Sequence, residues 1–300
     1  IWTLAACILP LMAIDAQAGA GRTAMEFLKI GQGARAVAMG GAYTALADDA
    51  YSMYWNPAGL GRVKTTDLTF QRNHYLADIG QNYFAAALPS AKGTFGFSGN
   101  MLAIDGLKRT TYASGAAGQT LGTFGAEDMD LSIGWGQEYS SGFAFGFAGH
   151  YLRSEIDHIS ATAYAGDLGV QYSRENRWTL GACLKNLGTS VKFQKVADRL
   201  PTSLRVGAVL KFLRYRNLIA SVDFNKPKED DGFLNFGIEY RLMPQMSLRG
   251  GYSTEQEDVG KGISGGVGFR FGLVSLDYAF VPFGPLDDTH RVSLTLHFGG

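Results

Sequence analysis

Cysteine is nearly missing from this sequence: among 300 residues it occurs only as Cys7 and Cys183. Cys7 falls inside the opening apolar run IWTLAACILPLMAIDAQAGA, which closes on the small-x-small triplet Ala16-Gln17-Ala18. That pattern reads as a secretory signal peptide over residues 1–18. A lipid-attachment site at Leu4-Ala5-Ala6-Cys7 fits less well, because the apolar run continues past the cysteine. With the leader removed Cys183 stands alone, which excludes an intramolecular disulfide framework and a cysteine-based zinc site. Charge is scarce as well. Charged residues make up 18% of the chain and balance at 27 basic against 27 acidic, so there is no electrostatic footprint for nucleic acid. No apolar stretch of helix-spanning length follows residue 18, so no transmembrane helix is expected.

Chemistry-bearing constellations are also lacking. The five histidines, at positions 74, 150, 158, 290 and 297, show no metal-ligand spacing. Gly31-x-Gly33 with Ala36 loosely resembles a dinucleotide fingerprint, but no buried strand precedes it and no βαβ unit follows. Gly262-Ile-Ser264-Gly-Gly266 has the letters of a hydrolase nucleophile elbow without the strand-turn-helix context that the elbow needs. The acidic pairs Asp48-Asp49 and Asp287-Asp288, and the acidic loops near Glu229 and Glu257, are candidate calcium ligands that read better as solvated loop or helix-end charges. No cofactor, metal or catalytic activity is expected.

What is abundant is glycine, at 40 residues, and aromatic side chains, at 12%. From about Thr65 onward the hydrophobic period is two. In 232–242, Leu234, Phe236, Ile238, Tyr240 and Leu242 face one way, and Asn235, Gly237, Glu239 and Arg241 the other. About fourteen such segments follow one another, each roughly ten residues or longer. A tilted strand of about ten residues covers about 23 Å, the height of a bilayer's apolar band. Short turns such as PSAKG, YSSG and LMPQ alternate with longer polar connections at 105–127, 188–200, 225–231 and 254–260. Outward aromatics gather near the short turns (Tyr139, Phe143, Tyr172, Trp178, Phe212, Tyr240, Phe271, Phe298). A smaller set lies near the long loops (Tyr151, Phe224, Tyr252, Phe280), giving the two belts of a membrane protein.

The expectation is therefore an all-β membrane protein: an antiparallel transmembrane barrel over residues 63–300, in the outer membrane of a diderm bacterium and surrounded by its lipid. The opposite strand faces carry charges into the lumen at Arg205, Lys211, Asp223, Glu239, Arg241, Arg249, Arg270 and Asp277. Leu294, Leu296 and Phe298 form the outward C-terminal stripe of the barrel. A barrel of this size has a lumen too wide for side chains alone to fill. The stretch from Phe27, FLKIGQGARAVAMGGAYTALADDAYSMYWNPAGL, supplies a filler. Gly40-Gly41 end an extended piece and admit a helix over 42–47, and Pro57 bars helix continuation and pushes Asn56 to extended geometry. Residues 19–62 read as a compact hatch, with Gly31, Gly33, Gly40, Gly41, Asp48, Asp49, Trp55, Asn56, Pro57 and Gly59 as its motif.

That run resembles the N-terminal signature of the PorV/PorQ family of outer-membrane proteins. Asn56-Pro57-Ala58 resembles the NPA element in the hatch of FadL-type fatty-acid transporters, and 277–298, DYAFVPFGPLDDTHRVSLTLHF, is similar to the PorV/PorQ ending. The resemblance implies a fourteen-stranded barrel plugged by its N-terminal hatch. For PorV it implies partnership with the type IX secretion machinery and its cargo proteins at the cell surface; for FadL it implies passage of hydrophobic ligands. The charged inward positions rank the secretion partner first, the hydrophobic-solute channel second, and a purely structural role third. Short surface loops depart from PorV, and the lack of long apolar loops departs from FadL.

Overall fold

The computed structural model describes residues 23–74, 79–110, 120–175, 177–193, 196–212, 217–255, 262–282 and 288–299. The signal-peptide reading, with Cys7, and the acidic residues Glu257 and Asp287 lie outside them. No helix among the described residues is long and apolar enough to cross a membrane. The strands are β1 (Thr66–His74), β2 (Gly80–Ser90), β3 (Gly93–Thr110), β4 (Thr120–Glu138), β5 (Phe143–Ile156), β6 (Ile159–Arg174) and β7 (Trp178–Gly188). They continue with β8 (Val191–Phe193), β9 (Val196–Asp198), β10 (Ser203–Phe212), β11 (Leu218–Pro227) and β12 (Phe233–Met243). The last four are β13 (Met246–Ser253), β14 (Ile263–Phe271), β15 (Val274–Pro282) and β16 (Asp288–Phe298).

Fourteen of these form one closed antiparallel barrel, and β8–β9 is a separate small hairpin in the connection between β7 and β10. The barrel closes where β1 pairs with β16, from Thr66 opposite Phe298 to His74 opposite His290. Alternation is the cause of the strands, and burial shows which face is which. Along β12, Leu234, Phe236, Ile238 and Tyr240 are exposed while Asn235, Gly237 and Glu239 are buried. Ile133 is 65% exposed and Ile238 55%, whereas Gln171, Asp223 and Ser293 are at 0%. A soluble protein would reverse that assignment. An apolar exterior around a polar interior suits a chain whose outside meets lipid.

The walls differ in height. β3 and β4 run for 18 and 19 residues, β13 and β14 for 8 and 9. At about 3.3 Å per residue, β3 follows a path of about 60 Å, roughly twice that of β14. The connection expected at 105–127 is thus largely strand. Its described residues are exposed or half-buried on both faces, so the amphipathic signal fades where the wall rises beyond the apolar band. The connection expected at 188–200 likewise carries the β8–β9 hairpin.

Residues 23–65 lie inside this barrel as short pieces. They are a 3-10 turn (Glu26–Lys29), helices α1 (Ala34–Ala38) and α2 (Ser52–Trp55), and a second 3-10 turn (Pro57–Arg62). The helix expected over 42–47 is absent; those residues form a turn. Helix lies on the other side of Gly40-Gly41 because the pair acts as a terminator rather than an entry. Both glycines have positive φ, 65° and 76°, and the Gly41 N–H donates back to the Ala36 carbonyl at 3.0 Å. A left-handed glycine just past a helix satisfies its orphan carbonyls. Pro57 acts as expected: Asn56 is extended at φ −163°.

Candidate functional site

The N-terminal segment meets the wall of β12–β16 through ions and backbone. Arg35 makes a two-pronged contact with Glu239, Nε to Oε2 at 2.9 Å and Nη2 to Oε1 at 3.1 Å. Its Nη1 reaches Asp48 at 2.9 Å and the Tyr43 hydroxyl at 2.9 Å. That hydroxyl in turn donates to Asp49 at 2.7 Å. On the wall side, Arg249 bonds Glu239 at 2.7 Å and Asp277 at 2.6 Å. Burial works against the charge on Arg35, but Glu239, Tyr43 and Asp48 outweigh it and hold its pKa above the ordinary value. Burial, reinforced by Asp48, pushes Asp49 up to about 7, with Arg35 pulling the other way.

Side chains on the wall also hold the segment's main chain. The Asp223 carboxylate accepts from the N–H groups of Tyr43 and Thr44 at 3.0 and 2.7 Å. Gln171 donates to the carbonyls of Thr44 and Ala47, both at 3.1 Å. Ser293 accepts from Ala34 N–H at 2.9 Å, and Ser264 from Gly40 N–H at 3.0 Å. Within the segment, Trp55 Nε1 donates to the Gln32 carbonyl at 2.7 Å. Asn56 donates to the Thr44 carbonyl at 2.9 Å and caps Ala58 N–H at 3.1 Å. Such close seating needs walls without side chains. A Cβ on Gly251 would collide with the Gly40 backbone, one on Gly146 with Pro57, and one on Gly169 with Asn56. Inside the segment, Gly59 is equally crowded by the Ala47 carbonyl, Gly31 sits in tight contact with the Trp55 ring, and Gly33 has a positive φ of 86°.

Towards the long-loop end the character changes. Lys185 lies 4.0 Å from the centroid of the Tyr54 ring and 3.4 Å from Asp167, and Arg205 lies 5.1 Å from the centroid of the Trp55 ring. Two residues of β7, Lys185 and Asn186, stand opposite the single Asp167 of β6, a bulge that turns both inward. A void of about 10 Å³, the size of one water, sits among Leu28, Met53, Tyr54, Asp130, His150 and Lys185. Beyond it lies a packed apolar cluster: Met25, Phe27 and Leu28 of the segment, Leu102, Leu152, Ala161 and Ala163 of the tall wall, and Val191 and Leu200 of the β7–β10 connection. At the other end a cavity of about 360 Å³ opens among Ala45, Asp48, Arg62, Lys64, Glu138 and Lys211.

Of the charges expected in the lumen, Arg205, Asp223, Glu239, Arg249 and Asp277 are there, and Lys211 lines the open cavity. Arg241 and Arg270 are exposed instead. They keep the inward parity but sit where their strands run out beside the short turns. Leu294 and Phe298 face outward, at 41% and 42% exposure, and Leu296 is half-buried between them. Sequence reasoning passed over Arg35 and Gln171, although Arg35 lies within the quoted motif and Gln171 is at an inward position. It also missed the inward leucines Leu102 and Leu152, whose parity was legible. Among the described residues no group of three or more His, Cys, Asp or Glu side chains is placed to hold a metal.

The fold has known counterparts. The model of an uncharacterised protein family, UPF0164, matches residues 5–146. The toluene transporter TodX of Pseudomonas putida superposes with a TM-score of 0.61 at 11% identity, covering 89% of this chain and 97% of that one. The monoaromatic hydrocarbon channel CymD gives 0.63 at 14% identity, with 90% and 98% covered. A FadL homologue of Pseudomonas aeruginosa gives 0.57 at 12%, with 89% and 97% covered. No curated protein matches. The fold is that of the FadL-like outer-membrane channels. The finer likeness to PorV and PorQ is not what these matches support.

Proposed function

We propose that this protein is an outer-membrane channel for small hydrophobic solutes, with residues 23–62 as the hatch that closes its lumen. The short-turn end then faces the periplasm and the long-loop end the outside. The observation that carries the reading is the buried apolar cluster at the long-loop end, where Leu102, Leu152, Ala161 and Ala163 of the wall pack on Phe27 and Leu28 of the segment, an apolar environment inside an otherwise polar lumen. Each methylene moved from water into such a site contributes about 0.8 kcal/mol. The FadL-like fold supports the same reading.

The inward charges had ranked a secretion partner first, on the ground that an acyl or aromatic solute could not displace their water. The ion pairs answer that objection. Glu239, Arg249 and Asp277 bind Arg35 or one another at the seam between hatch and wall and lie outside the apolar cluster. The comparisons lend the secretion-partner role no support.

The test is uptake of a radiolabelled monoaromatic hydrocarbon by intact cells of a host without a hydrocarbon channel of its own. Expression should raise the initial rate, and Leu152→Gln should return it towards background. Equal rates with and without the protein would overturn the proposal.

A further inference from the structure

The pairing of β7 with β10 gives the lumen a ruler. Thr179 lies opposite Val209, Gly181 opposite Gly207, Cys183 opposite Arg205, and Lys185 opposite Ser203. The open cavity reaches the level of Thr179 and Val209. The small void lies at the level of Lys185. At the Gly181–Gly207 level between them, the structure is the turn at 43–47. A Cβ on Gly181 would meet Ala45 Cα and the Thr44 carbonyl at 2.8 Å, and one on Gly207 would meet Ala45 N at 3.2 Å. Along this wall, the turn and the Trp55–Arg205 layer above it separate the open cavity from the small void and the apolar cluster.

We infer that the turn at 43–47 is the moving gate of the lumen, and that Asp223 and Gln171 are the wall residues that hold it shut. The turn is built to move as a unit. Leu46 and Ala47 donate back to the Tyr43 carbonyl at 3.1 and 2.8 Å, so its own hydrogen bonds travel with it. It belongs to no helix or strand ladder, and Gly40 and Gly41, both at positive φ, precede it as a hinge. Among the described residues, wall hydrogen bonds to its main chain come from two side chains, Asp223 on β11 and Gln171 on β6, with two each. The Arg35–Glu239 pair lies upstream of that hinge and can stay, while movement of the turn also gives up the Arg35 bond to the Tyr43 hydroxyl and the Asn56 bond to the Thr44 carbonyl.

A second resting state is also provided for. Asp223 gives the turn only Oδ2; its buried Oδ1 has no hydrogen-bond partner among the described residues. On the next level of the neighbouring strand, Nε and Nη1 of Arg205 are buried and equally unpartnered. Asp223 pairs with Gly207, two residues along β10 from Arg205, which is the diagonal reach across adjacent strands. Releasing the turn frees Asp223 to bond Arg205, so the carboxylate exchanges two backbone donors for a guanidinium. A switch needs two states with different contacts, and these are the two.

The inference rests on the channel reading, but its test requires no solute. Cys183, buried at 1% exposure on the Arg205 level, reports the gate from within. The full chain in detergent is treated with methyl methanethiosulfonate, and the Cys183 peptide is followed by mass spectrometry. Single-channel conductance is recorded in parallel. Modification should be slow in the parent, at least tenfold faster in Asp223→Ala, and several-fold faster in Gln171→Leu, with raised conductance in both. Arg205→Met, which keeps the bulk but removes the second partner, should lower the open fraction. Should Asp223→Ala fail to fold, Asp223→Asn and Gln171→Leu decide the matter. Folded variants with parental labelling and conductance overturn the gate, as does an Arg205→Met channel that opens like Asp223→Ala. Loss of hydrocarbon uptake with this gating pattern intact would instead sink the channel reading alone.

Discussion

The two walls of the lumen hold the same forty residues by different means. The short wall, β12–β16, grips them with the Arg35–Glu239–Arg249–Asp277 chain and with Ser264 and Ser293 on backbone groups. The tall wall, β3–β6, offers mostly bare glycines and apolar side chains: Met53 and Leu60 fill the space over Gly96 and Gly134 or Gly136, and the apolar cluster lies above, while Gln171 and the Arg62–Glu138 pair add directional contacts towards the short turns. Directional charge pairs on one side fix where the segment sits. Apolar contacts, which predominate on the other, hold it with less positional precision.

The comparison breaks most readily at Glu239. Glu239→Ala leaves Arg35 and Arg249 buried without their shared partner, a loss of about 3–5 kcal/mol. The unboiled, faster-migrating band on a gel should vanish or melt at a much lower temperature. A variant with the parental melting point would mean that the short wall is no anchor.

On the tall wall, Leu60→Ala removes a side chain at 0% exposure that packs over Gly96 and Gly136, for about 2–5 kcal/mol. Because that contact is non-directional, the variant should stay assembled where Glu239→Ala does not, as the same gel assay reads. Gly251→Ala tests the close approach more finely. Its Cβ would press on the Gly40 backbone, for about 1–3 kcal/mol, whereas Gly250→Ala meets nothing within 4 Å and should be neutral. Equal melting of the two would argue that the segment does not rest on that wall.

The smallest effect is electrostatic. Asp49 titrates near 7 in the folded protein and near 4 in an unfolded chain, so the folded state binds the extra proton between those values. Its contribution to stability is complete below about pH 4 and is lost as the pH rises through about 7. The melting temperature should therefore decline from pH 5 to pH 8, and Asp49→Asn should flatten that part of the profile. An unchanged slope in the variant would place the titrating group elsewhere.

Most of the barrel was legible in the sequence because lipid enforces a strict alternation. The segment 232–242 became Phe233–Met243. Legibility stopped where that enforcement stops. Above the apolar band β3 and β4 are wet on both faces and read as loop. Gly40-Gly41 was read as the start of a helix because the sequence shows a flexible pair but not which side carries the hydrogen bonds. Partnerships were the least visible: Arg35 and Glu239 are separated by 204 positions, and only closure of the barrel brings them together. Asp223 looked like one more lumen charge, yet it serves as an acceptor for two backbone groups.

The central claim is that residues 23–62 close the barrel, and single-channel recording in planar bilayers tests it most directly. The parent is compared with a chain lacking those residues, refolded and checked for heat-modifiable migration. The parent should stay near baseline, with only brief openings, and the shortened chain should show large, steady conductance steps. A folded barrel without residues 23–62 that is as quiet as the parent would contradict the account.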